Sequence, residues 1–237
     1  MSTAITPRLT AYFPKDFAFD RFYLGEDVYH FAYTVTNDTL VRGRGSFISL
    51  HEGAKEGRIV AAIHWQQTGK LVISDLLRTP GQMTRPCISL HTSHKTKGYY
   101  FRMNVGLPGQ QTPQSSETFE WRATGGNEVR GLHPRAFGWK LVRLGRQAGE
   151  GGNRKTRQVG ETSDGKEVVA VWGTVPGSLR SWFLPTKTAF MFELCGSGKT
   201  GELGEKFHIF ALMTALQIYG TTEQFVWGWK CIGMEAY

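Results

Sequence analysis

No apolar run in this sequence approaches the roughly 18 residues that a membrane-spanning helix requires. Met1 to Phe13 also lacks a basic stretch followed by a continuous apolar one, so no secretory signal is read there. Cysteine is scarce: Cys87, Cys195 and Cys231 are the only three, and none forms a CxxC pair. An odd, sparse set argues against a disulfide framework and suits a reducing compartment. The expected setting is intracellular, either cytoplasmic or membrane-peripheral. Catalytic signatures are missing as well, with no nucleophile elbow, no HExxH and no obvious carboxylate pair. Neither an RNP motif nor a zinc finger occurs, which disfavours nucleic acid as a partner.

What is present is an apolar inventory large enough for a core and an excess of positive charge. Of 237 residues, 40% are hydrophobic and 13% aromatic, which excludes disorder over the whole chain. One domain spanning residues 1–237 is expected, since all-β barrels often reach this length as a unit. Lys and Arg total 28 against 20 for Asp and Glu, a formal net charge of +8. That balance favours anionic partners, such as phosphate groups on lipids or nucleic acid.

Short alternating runs rich in aromatic and β-branched residues, punctuated by Gly, Asn and Asp, predict roughly ten strands. They cover Val28 to Thr34, Ser46 to Leu50, Arg58 to Gln66, Lys70 to Asp75, Gly98 to Val105, Glu117 to Arg122, Phe137 to Leu144, Glu167 to Thr174, Lys187 to Leu194 and Gln224 to Ile232. Alternation puts Tyr99, Phe101, Met103 and Val105 on one face, and pairs Phe119 with Trp121 on the core side. Arg102, Glu120 and Arg122 then read as a solvated charge ladder. From Gly145 to Gly165 the chain has no aromatic residue and carries Arg146, Arg154, Lys155 and Arg157. A flexible basic loop is predicted there, joining two arms of one hairpin.

Glu205 to Tyr219 breaks the strand pattern. The segment EKFHIFALMTALQIY has no Pro or Gly, and Gly220 stands where a C-terminal cap is expected. Its apolar side chains fall at nearly every angle around the helix axis, so no face suits water. At about 22 Å it is too short to cross a bilayer of about 30 Å, and the expectation is that the sheet encloses it.

The predicted fold is therefore mostly β, with the sheet wrapped around one buried C-terminal apolar helix. The strand Phe137-Gly-Trp-Lys-Leu-Val-Arg143, the hairpin Asp164-Gly-Lys-Glu-Val-Val-Ala-Val-Trp172, the strand Thr188-Ala-Phe-Met-Phe-Glu193 and the helix Phe207 to Tyr219 together resemble the tubby C-terminal-like superfamily. That group comprises the tubby proteins, the phospholipid scramblases and the LURP-one-related proteins. The resemblance implies a closed antiparallel β-barrel of about twelve strands around that central helix and, for some members, phosphoinositide or membrane binding. The sequence shows neither the calcium-binding acidic loop nor the palmitoylated cysteine cluster of the scramblases.

Individual residues offer few candidates for chemistry. Glu193-Leu-Cys-Gly-Ser-Gly-Lys-Thr200 ends like a P-loop, but Glu193 stands where that motif needs glycine, and Gly201-Glu-Leu-Gly204 delays the helix. The segment reads as a strand-to-helix loop, with an anion on its amides and Lys199 as the alternative. Cys87, His91 and His94 have a spacing that matches no common metal site, so no metal and no cofactor are expected. Glu193, set in an apolar run, and His64, beside Trp65, are the candidate acid/base residues. His208 reads as a hydrogen-bonded imidazole on the enclosed helix.

Two functions follow. The first is a non-catalytic binding module for an anionic lipid or phosphate-bearing ligand, through Lys140, Arg143, Arg180, Trp182 and Lys187, with peripheral membrane contact. Lys140 and Arg143 fall on opposite faces of their strand, which weakens them as a pair. The alternative is a cofactor-independent enzyme of cyclase or isomerase type, acting on a hydrophobic small molecule in a barrel-mouth pocket. Oligomeric state is not readable from the sequence.

Overall fold

The computed structural model describes residues 7–13, 21–27, 29–38, 47–53, 57–65, 71–75, 87–93, 96–106, 115–153, 158–174 and 187–221. These form thirteen antiparallel strands. Seven come first: β1 (Arg8–Phe13), β2 (Arg21–Gly25), β3 (Phe31–Asp38), β4 (Phe47–Glu52), β5 (Ile59–Trp65), β6 (Leu71–Asp75) and β7 (Cys87–Ser89). The second run is β8 (His91–Ser93), β9 (Gly98–Val105), β10 (Ser115–Thr124), β11 (Phe137–Gln147), β12 (Lys166–Thr174) and β13 (Lys187–Leu194). Three helices accompany them: α1 (Asn127–Arg130), α2 (Gly196–Thr200) and α3 (Glu205–Thr221).

Each strand pairs with its neighbours in sequence except β7 with β8, and β1 also pairs with β13, so the sheet order β7-β6-β5-β4-β3-β2-β1-β13-β12-β11-β10-β9-β8 wraps into a nearly closed barrel. Its seam falls at Leu90, between β7 and β8. Residues 87–93 are in effect one strand that changes partner. Ser89 pairs with Val72 of β6, whereas His91 pairs with Tyr100 of β9.

Helix α3 fills the interior, and Phe207, Ile209 to Leu216, Ile218 and Tyr219 are all buried. Rings from several walls converge on it. Phe119 lies 5.0 Å from Phe207, and Phe190 and Trp172 lie 5.3 and 6.1 Å from Tyr219. The indole N–H of Trp121 donates to Thr214 Oγ1 at 2.9 Å, satisfying both groups inside the apolar core. Burial of so many side chains leaves this helix no water-facing stripe, as its sequence requires. Among the described residues no helix is long and apolar enough to cross a membrane.

Nine of the ten predicted strands are present, Gly98–Val105 and Lys187–Leu194 with the predicted ends and the other seven with shifted ones, and the run Gln224 to Ile232 lies outside the described residues. Strands β1, β2, β7 and β8 are additions. The alternation read in β9 and β10 holds, with Phe101, Met103, Val105, Phe119 and Trp121 in the core. Glu120 departs from the solvated ladder: it is buried, accepting from Arg122 Nε at 2.7 Å and from Thr96 Oγ1 at 2.5 Å.

The stretch from Gly145 to Gly165 carries hydrogen bonds between its two arms. Around residues 154–157, which lie outside the described set, the two arms are hydrogen-bonded from Ala148 to Gly165 and from Gly152 to Ser163. Glu161 and Thr162 are buried, and Asp164 takes a fork of two bonds from Arg122 Nη1 at 2.9 and 3.0 Å. Trypsin should therefore cut first after Arg154, Lys155 or Arg157 and spare Arg146 and Lys166. Asp164→Asn removes a charge-assisted bond of about 1.5 kcal/mol and should speed cleavage at Arg146 and Lys166 by about tenfold. Unchanged cleavage at those two positions would show that the Arg122 tie does not hold the loop.

Candidate functional site

Three polar arrangements stand out on the barrel: a charged plug at one end, a basic flap on the outer wall, and a groove at the seam.

The plug forms where β11, β12 and α2 meet. Arg143 is in register with Phe119 of β10, and a strand position in line with the core at the end of the barrel must find carboxylates or water. Its Nε and Nη2 grip Glu117 at 2.5 and 2.6 Å, while Nη1 donates to Glu202 at 2.9 Å and to Ser197 Oγ at 3.2 Å. Arg146 donates to the same Glu202 at 2.6 and 2.7 Å. Hydrogen bonds to Glu117 above all raise the Arg143 pKa further, and hydrogen bonds from Arg143 and then Arg146 hold the Glu202 carboxyl below its usual range.

This plug also explains the P-loop-like glycines. The amide and hydroxyl of Ser197 donate to Glu167 at 2.8 and 3.0 Å, so the chain's own carboxylate occupies the position where an external anion would sit. A Cβ on Gly198 would overlap the carbonyl oxygen of Val169, so glycine is needed there for α2 to lie against β12. Burial pushes the neighbouring Cys195 thiol up to about 12, which leaves it protonated and unreactive at neutral pH.

The flap is the segment from α1 to Ala136. Val129, Leu132 and Ala136 pack over Val168 and Val171 on the outside of β12, with Met191 and Cys195 beside them. Beneath it Lys140 is buried, its Nζ 3.7 Å from Glu128. Above it Arg130 and Arg135 are exposed. Arg8 is tied to the flap through Nη2 to the Leu132 carbonyl at 2.9 Å, and its Nη1 lies 3.9 Å from Glu193.

The groove opens where residues 87–93 leave β9 for β6. It has a volume of about 390 Å³ and is lined by Cys87, Ile88, Ser89, His91, Tyr100 and Arg102. His91 stacks on Tyr100 with ring centroids 5.2 Å apart.

The predicted site residues are not gathered into one place. Lys140 and Arg143 lie on opposite faces, as their spacing requires, and both are buried in ion pairs with carboxylates. A cation held this way has no spare charge for a lipid, so neither can form the expected contact surface. Glu193 corrects the expectation of an apolar-embedded acid: it is in register with Val171, on the flap side of the wall, and its side chain is 30% exposed opposite Arg8. On β5, Ala61 and Ile63 face the core, which places His64 and Ala62 on the outer side. Five strand steps of about 4.8 Å separate β5 from β13, roughly 24 Å around the wall. Glu193 and His64 therefore cannot act on one substrate. Arg180 and Trp182 lie outside the described residues; Lys187 opens β13, with its backbone paired to Phe13. His208 is hydrogen-bonded as expected, to the Gly198 carbonyl at 2.7 Å. No metal-holding cluster occurs among the described residues.

Arg130 and Arg135 are not among the residues singled out from the sequence, and Arg102 is read there only as part of a solvated charge ladder. The signal for the first two was available, since residues 129–137 contain two arginines and a histidine and no acid. No family model matches this sequence, and no curated protein or solved structure matches it either.

Proposed function

We propose that the barrel is a non-catalytic binding module for anionic lipid or phosphate-bearing ligands, and that kinship with the tubby-like barrels is part of this reading. The observation that carries it is the flap. Arg122, Lys140, Arg143 and Arg146 spend their charge on carboxylates, whereas Arg130 and Arg135 have no acidic partner among the described residues. They project from a segment clamped to the wall by its own apolar side chains, and Phe137, two residues on, is 52% exposed. Guanidiniums beside a half-exposed aromatic suit the headgroup layer of an anionic membrane.

Each cation near such a surface contributes about 1 kcal/mol, so the two exposed arginines add about 2 kcal/mol of salt-sensitive attraction. Arg180 and Lys187 are proposed to add to them. Co-sedimentation with phosphoinositide-containing vesicles tests the reading. The double variant Arg130→Glu, Arg135→Glu should lose about tenfold or more in binding, with an unchanged melting curve, and high salt should do the same to the wild type. Absence of wild-type binding at low salt would overturn it. The cyclase or isomerase reading gains no support, because its two candidate residues face outward on distant strands.

A further inference from the structure

We propose that the seam groove is a second site, selective for a small phosphomonoester attached to a flat or apolar group. The reading shares with the proposed function only a preference for anions, and it would stand if the flap never touched a membrane. Its basis is the strand switch at Leu90. The β8–β9 pairing stops at His91 opposite Tyr100; continuing the same register would set Ser89 opposite Arg102, but β7 pairs with β6 instead. The wall therefore splits into a wedge, and the side chains that flank the split face a volume of about 390 Å³. That lies at the lower end of the range for small-molecule sites.

The chemistry of the lining is specific. Arg102 is exposed, and its Nε donates to Thr118 Oγ1 at 3.1 Å. This bond orients the guanidinium and leaves its two terminal nitrogens for the fork that phosphate oxygens accept. Arg102 has no carboxylate partner among the described residues. The nearest acid in register, Glu120 opposite Tyr100, is already engaged by Arg122 and Thr96. His91 and Ser89 add hydrogen-bonding groups on the opposite lip. The stacked His91 and Tyr100 rings supply a surface for the organic part of the ligand. A bare inorganic anion would use the arginine and leave the rings unused, so the site should favour an aryl phosphate.

Calorimetric titration of the full chain with phenyl phosphate and with inorganic phosphate tests this. Phenyl phosphate should bind about tenfold tighter or more, Arg102→Gln should lose about tenfold or more, and His91→Ala should remove most of the preference for the aryl compound. Cys87 is exposed in the groove, so phenyl phosphate should slow its alkylation by maleimide, read peptide by peptide in a mass spectrometer. Wild-type protein that fails to bind phenyl phosphate would overturn the site, as would Arg102→Gln with unchanged affinity or Cys87 labelled at the same rate with and without ligand. The flap variant Arg130→Glu, Arg135→Glu should keep its affinity for phenyl phosphate, which separates failure of this site from failure of membrane docking. Competition by phenyl phosphate against phosphatidic acid vesicles would identify a lipid headgroup as the source of the phosphate. Binding without competition would identify a soluble ester.

Discussion

Leu212→Asp should yield no folded protein. Leu212 is fully buried at the middle of α3, inside the main hydrophobic core, so an aspartate there can neither reach water nor find a cation. Losing the leucine contacts alone costs about 2–5 kcal/mol, and an unpaired buried carboxylate adds several more. Against a total stability of roughly 5–15 kcal/mol, the sum removes the native state. Leu212→Ala makes the cavity without the charge and should fold with a urea midpoint lowered by an amount corresponding to about 2–5 kcal/mol. A soluble Leu212→Asp protein with a cooperative unfolding transition would mean that α3 is not the centre of the barrel.

That prediction could be made from sequence alone because the pattern of α3 admits one solution. A helix apolar at every angle and too short for a bilayer has to be surrounded by protein. Strands β9 and β10 were legible for a related reason, since strict alternation of large apolar and polar side chains tells inside from outside. Strand β1 was not, because its register shifts between Thr10 and Tyr12, so Leu9, Ala11 and Tyr12 are all buried and the period of two is lost. Strands β7 and β8 are three residues each, Cys-Ile-Ser and His-Thr-Ser, and only their partners on β6 and β9 identify them as strands.

The candidate sites were less legible than the fold. Charge excess in a sequence does not say which cations are already spent, and pairing is decided by residues far apart in the chain. Arg143 meets Glu117 and Glu202 from 26 and 59 positions away, so its use as a structural cation carries no local signature. The glycines before α3 mislead in the opposite direction. They look like an anion cradle, and the cradle is real, but Glu167 fills it. The seam groove depends on where one strand exchanges partners, a property of pairing that the residues 87–93 do not encode by themselves.

Arg143→Met should destabilise the barrel by about 3–5 kcal/mol at neutral pH, the range for removing one partner from a buried charge network. Methionine keeps the apolar stem but leaves Glu117, Glu167 and Glu202 facing one another with only Arg146 to offset three carboxylates. Double replacement of Arg143 and Glu117 by apolar residues should recover a large part of the loss, because the carboxylate that Arg143 grips most closely is then gone as well. The pH dependence provides an independent check. In the wild type Glu202 has a depressed folded pKa, so its contribution is complete above the unfolded carboxylate range and is lost as pH falls through the folded value. In Arg143→Met the largest cause of that depression is absent, and little of the contribution remains to be lost. Chemical denaturation of both proteins between neutral and acid pH should therefore show the wild-type advantage shrinking below the ordinary carboxylate pKa of about 4.3. A stability gap that is constant across that window would mean that Arg143 acts through packing and not through its charge.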